Sequence, residues 1–146
     1  MITDCYLGVR GIISNTQYIS SVPTVIRMDR EKIKQRILRD LRLGLYKLIV
    51  LSIIHKYGPI HGYNIRKKIE ELSDGLLRPS ESTIYDTLKK LEKLGLIESY
   101  WVASSGYPMK KYYRIKTKDE ELVEEIISEA LKEGEIINRI LRGDTP

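Results

Sequence analysis

Between Ser80 and Lys93 the chain sets hydroxyls ahead of amines: Ser80, Ser82, Thr83 and Tyr85 come first, then Lys89, Lys90 and Lys93. That order suits the binding of phosphate. Hydroxyls at a helix start donate to phosphate oxygens, unpaired backbone N–H groups and the helix dipole attract the anion, and lysines further along add charge. A second basic group, Lys110, Lys111 and Arg114, follows downstream. Bond-breaking chemistry finds no comparable set. There is no phosphate-binding glycine loop and no nucleophile beside a base, so no catalytic residue is assigned. The histidines are His55 and His61, with no cysteine near either. Zinc needs three or four ligands, so no metal site is expected, and His61 is read as a capping or packing residue. No cofactor is expected. Cys5 stands alone, which excludes an internal disulfide and suits an intracellular protein.

The elements that must position these groups follow from periodicity. Ser80 caps a helix running to about Leu94, with Ile84, Leu88, Leu91 and Leu94 spaced four, three and three along one buried face. Gly95 stops it. Residues 96–102 and 111–115 are rich in β-branched and aromatic residues, and residues 103–108 between them have loop composition. This predicts a β-hairpin with Lys110 and Lys111 at its tip and Arg114 on its return strand. Trp101 is expected to pack that hairpin against the helices.

Upstream, Asp29 caps a helix carrying Ile33, Ile37, Leu38 and Leu41, which Gly44 bends or ends. Residues 45–57 form a second helical run, apolar on most sides and therefore central. Gly58 and Pro59 stop it, and His61-Gly62-Tyr63 opens the next helix. Residues 1–27 show no clear period and read as an extension, with a short strand near Thr24 to Ile26. Downstream, Thr117 and Glu120 predict a capping box at the start of a long helix. In it Val123, Ile127, Ala130, Gly134, Ile137 and Leu141 step four, three, four, three and four, a heptad seam. The preceding domain leaves little to cover such a helix. Val123, Ile127, Ala130, Ile137 and Leu141 are therefore expected to bury one another across a homodimer.

The chain has 146 residues, 31% charged and 42% hydrophobic, ordinary values for a soluble globular protein. No apolar run reaches the roughly eighteen residues a membrane span needs, and the N-terminus lacks a signal-peptide pattern. A cytoplasmic, nucleoid-associated location is expected. The net charge of +5 is unevenly spread. Residues 28–48 hold seven Lys/Arg against three Asp/Glu, residues 61–118 twelve against seven, and residues 119–146 three against nine. A basic body with an acidic end points to an anionic partner for the body.

Three helices followed by a β-hairpin is the order of a winged helix-turn-helix, whose third helix enters the DNA major groove. The sequence also resembles the PadR family of transcriptional regulators. The stretches that carry the resemblance are Tyr57-Gly58-Pro59-Ile60-His61-Gly62-Tyr63, Ser80-Glu81-Ser82-Thr83-Ile84-Tyr85 and the run from Leu88 to Ile97, with Trp101 and Lys111-Tyr112-Tyr113-Arg114-Ile115. Together they cover roughly residues 45–118.

The resemblance implies a mainly α fold with a small β-hairpin: a winged helix-turn-helix domain plus a long C-terminal dimerisation helix. The expected organisation is an extension over 1–27, the DNA-binding domain over 28–117 and the dimerisation helix over 118–146. The expected function is sequence-specific repression by a homodimer on a roughly palindromic stretch of double-stranded DNA. Ser80, Ser82, Thr83, Tyr85, Lys89, Lys90, Lys110, Lys111 and Arg114 are the expected contacts. Some relatives bind aromatic molecules at the dimer interface, so an unidentified small-molecule effector is left open. The family commonly has Pro-Gly where this chain has Glu81-Ser82, and often Pro where it has Asp86. Acidic groups there weaken phosphate attraction but can accept hydrogen bonds from cytosine amino groups. An architectural DNA-coating protein is the second reading, because the recognition helix has no Arg, Asn or Gln. A winged-helix module for protein partners is the third.

Overall fold

The computed structural model describes residues 29–145. The extension expected over residues 1–27, with its strand near Thr24 to Ile26, lies outside the described residues. The chain divides into two compact units, residues 1–40 and 41–146. The described part of the first unit is Asp29 and the opening turns of helix α1 (Arg30–Tyr57). Asp29 starts that helix, its carboxylate accepting from the Glu31 N–H at 3.4 Å. Ile33 and Ile37 are exposed on these turns.

The helix does not end at Gly44, one of the two outcomes expected there, so the two predicted helices are one. An interior glycine costs about 1 kcal/mol relative to alanine, which good helix formers on both sides can carry. Burial begins at Tyr46 and continues through Val50, Leu51, Ile53 and Ile54. That half of α1 is the central helix its apolar composition predicted.

A two-residue strand, β1 (Ile60–His61), follows, and was not anticipated. It leads into α2 (Gly62–Leu72), which buries Ile65 and Ile69. Helix α3 (Glu81–Lys93) buries Ile84, Leu88 and Leu91. Leu94, expected on the same stripe, is 66% exposed. It is the C-cap of α3, where the chain turns away through Gly95.

The hairpin is longer and its turn tighter than predicted. Strands β2 (Ile97–Ser104) and β3 (Tyr107–Ile115) leave only Ser105 and Gly106 between them. Gly106 takes φ +80°, the left-handed region that a side chain makes costly, and this lets so short a turn close. The sheet is antiparallel in the order β1-β3-β2.

The predicted capping box at Thr117 and Glu120 does not form. Residues Thr117–Asp119 make a 3₁₀ turn and α4 (Glu120–Arg142) begins after it. Val123 of α4 is fully buried in the chain's own core, beside Val50, Ile54, Ile65, Leu88 and Ile97 among others, and Ile127 packs against that core. Val123 is thus not a surface a partner could meet. From Leu131 onward every residue of α4 is exposed.

Candidate nucleic-acid interface

The site begins at the N-terminus of α3. Ser80 takes an extended conformation and its Oγ accepts from the Thr83 N–H at 3.2 Å, the capping geometry its residue type favours. The same Oγ lies 2.8 Å from Thr83 Oγ1 and 3.0 Å from Ser82 Oγ. Three hydroxyls therefore converge on the end of a helix whose dipole attracts anions. Glu81 sits among them with Arg66 Nη1 of α2 at 3.9 Å, and Arg66 Nη2 is 3.7 Å from Glu70. The carboxylate that departs from the family pattern has a guanidinium beside it.

Tyr85 is half-exposed and its ring lies on Gly62 at the start of α2. A Cβ at Gly62 would stand 3.0 Å from Tyr85 Cε1 and 3.2 Å from its hydroxyl oxygen. Glycine is what lets α3 carry a large aromatic there. Lys89, Lys90 and Lys93 are all exposed. The expected α3 residues thus share one region, and Arg66 and Gly62 join them from α2. Both were missed, since nothing local marks a side chain as the neighbour of a helix one element further on.

The wing residues do not stay together. Lys110 and Lys111 lie within β3, opposite Val102 and Trp101, instead of at the tip. Side chains alternate across a strand, so the paired positions sort onto two faces. One carries Ile97 with Ile115, Ser99 with Tyr113, and Trp101 with Lys111. The other carries Glu98 with Arg114, Tyr100 with Tyr112, and Val102 with Lys110.

The first face packs on the helices: Ile97, Ile115 and Tyr113 are buried, and Ser99 Oγ donates to Glu92 of α3. Burial pushes the Tyr113 phenol up to about 12, with the charges of Glu92 and Tyr85 adding to the rise. On the second face Arg114 Nε holds Glu98 at 2.8 Å and its guanidinium lies 5.0 Å from the Tyr100 ring centre. Arg114 is thereby tied to a carboxylate on the side away from α3.

Trp101 does not pack the hairpin against the helices. It is 60% exposed. It lies on the helix-facing side, one residue pair further out than Tyr113, where the helices no longer cover it.

His61 caps α2 as expected of a capping residue: its Nδ1 accepts from the Tyr63 N–H at 3.1 Å. Its ring meets Tyr112 edge-on at 5.7 Å. Burial, and then the charge of Lys110, hold its pKa below the ordinary histidine value. Among the described residues no cluster of three or more His, Cys, Asp or Glu could hold a metal. None of their helices is long and apolar enough to cross a membrane. An open apolar groove of about 390 Å³ lies between α1, α2 and α4, with Leu48, Ile53, Ile69, Leu77, Ile127 and Leu131 among its walls.

Residues 50–125 match the model of the transcriptional regulator PadR-like family. An uncharacterised protein of Lysinibacillus sphaericus is 30% identical over 104 residues, which are 71% of this chain and 94% of that one. A transcriptional regulator of Clostridium thermocellum shares 30% identity and superposes with a TM-score of 0.58 over 68% of this chain and 93% of its own. A PadR-family regulator of Eggerthella lenta, 25% identical, gives 0.61 over 76% and 94%. A PadR-like regulator of Bacillus cereus, 31% identical, gives 0.55 over 69% and 95%. A mainly helical chain with a winged hairpin, matched by that family's model over more than half its length, belongs to the PadR-like family of transcriptional regulators.

Proposed function

We propose that this chain binds double-stranded DNA as a homodimer and represses transcription by occupying a roughly palindromic operator at the nucleoid. The outer face of α3 carries the reading. Ser80, Ser82, Tyr85, Lys89 and Lys90 are all exposed there, with Thr83 partly so, and none has a role in the core. Hydroxyls and the helix N-terminus would fix the helix against phosphate, and the lysines would supply most of the salt-sensitive affinity. Of the wing residues, Lys111 faces the α3 side, while Lys110 and Arg114 approach DNA only from the far face of the hairpin.

The outer half of α4 supports dimerisation. Leu131, Ile136, Ile137, Ile140 and Leu141 are exposed on it, apolar side chains that a partner would cover. A second copy would cover it and set two recognition helices about one DNA turn apart.

An electrophoretic shift of the protein on DNA from upstream of its own gene, against a scrambled duplex at two salt concentrations, tests the reading. Preferential and salt-sensitive retardation of the upstream DNA is expected. Equal retardation of both would replace it with architectural binding. No retardation at either salt would replace it with a module for protein partners.

A further inference from the structure

The indole of Trp101, 60% exposed, is a feature that neither the core nor the α3 contacts account for. It lies on the α3-facing side of the wing, paired with Lys111. Lys111 Nζ stands 6.0 Å from the Trp101 ring centre and 5.7 Å from that of Tyr113. Aromatic faces at that range attract an ammonium electrostatically, which favours a position for the charge beside the indole. The next pair inward, Ser99 and Tyr113, is tied to Glu92 of α3 through the Ser99 hydroxyl. The outer, helix-facing side of the wing therefore presents a flat apolar surface beside a cation, one residue pair beyond the point where the hairpin is tied to α3.

We infer that Trp101 and Lys111 form a composite contact with the DNA sugar–phosphate backbone, the indole packing on a deoxyribose and the ammonium meeting the adjacent phosphate. The inference rests on the DNA-binding reading and assigns it a residue. The backbone alternates a largely apolar sugar with an anion, and this pair offers the matching alternation. Arg114 lies on the opposite face of the hairpin, where it is paired with Glu98 at 2.8 Å, and so is not part of this contact. A contact of this kind carries no base information and acts on any duplex.

Trp101 is the only tryptophan in the chain, so its fluorescence reports on this one place. The protein is titrated at low salt with a random-sequence duplex about three helical turns long, while retardation on a gel is followed in parallel. Emission is expected to change, and acrylamide quenching to fall, in step with retardation. Trp101→Ala is expected to weaken binding about tenfold, and Trp101→Phe, which keeps a flat apolar ring, only about twofold. Lys111→Ala is expected to lower the slope of log affinity against log salt by about one, which Trp101→Ala leaves unchanged. Circular dichroism of each variant confirms that the fold is retained.

Retardation with Trp101 as accessible to acrylamide as before would overturn this inference and leave the DNA reading standing. Retardation of no duplex would overturn both.

Discussion

Gly62 decides whether Tyr85 can lie where it does. With a Cβ, Gly62→Ala would push against the Tyr85 ring at 3.0 Å, and the ring, being half-exposed, would swing outward. Alanine in the first turn of α2 should leave stability within about 1 kcal/mol, because its helix propensity offsets the crowding. DNA affinity should nonetheless fall about three- to tenfold, a separation that a thermal melt and a gel titration on one preparation would reveal. His61 gives a second test at this scale. Its pKa is held down, chiefly by burial, so the folded chain resists a proton that the unfolded chain accepts. Protonation also takes away the Nδ1 acceptor that caps α2. The sign follows: the stability is fully present above the ordinary histidine value and is lost as pH falls through the depressed one. His61→Asn keeps a capping oxygen without a titrating group, so its melting temperature should fall less than that of the parent between about pH 7 and pH 5. The His61-Gly62-Tyr63 run was legible as a helix start. The partners of those residues, Tyr85 and Lys110, lie on other elements, and no local pattern could name them.

Helix α3 shows where periodicity succeeds and where it stops. The spacing of Ile84, Leu88 and Leu91 identifies the buried stripe, and all three are core residues. Leu94 continues the same spacing but stands at the C-cap, past the last turn that the sheet and α1 cover. Leu88→Ala, at a position with 0% exposure, should cost about 2–5 kcal/mol, whereas Leu94→Ala should fall within about 0.5 kcal/mol of the parent, both by denaturant titration. A Leu94→Ala cost as large as that of Leu88→Ala would mean that a partner buries Leu94. The wing follows the same logic. Alternation correctly places Trp101 on the side of Ile97 and Tyr113, but it does not say that the helices end before reaching it. Strand β1 escaped detection because two residues carry no period at all. Gly44 misled for the opposite reason: a glycine is a strong local signal, and the leucines around it outweigh that signal.

The fold class was legible because its signals are redundant, with long periodic helices, a change of period at Leu96 and family stretches in the right order. The proposed association surface was less so, since the surroundings of the heptad seam change along its length. Val123 is spent inside the chain's own core, while Ile137 and Leu141 stand 52% and 81% exposed. A partner could use only the later part, so the proposed dimer is testable without touching the fold. Ile137→Glu together with Leu141→Glu puts two charges on that exposed stretch and none in the core. The double variant should keep its helical circular dichroism and melt close to the parent at low concentration, while sedimentation shows a monomer in place of a dimer. Its DNA binding should weaken far more than loss of a few contacts explains. In a dimer the second recognition helix is delivered at a high effective concentration once the first is seated, a gain of about 10²–10⁴ that a monomer forfeits. Loss of that gain with an intact salt response on a single half-site would assign palindrome reading to α4 and phosphate binding to α3. A double variant that stays dimeric would move the association surface elsewhere and remove the predicted spacing of half-sites with it.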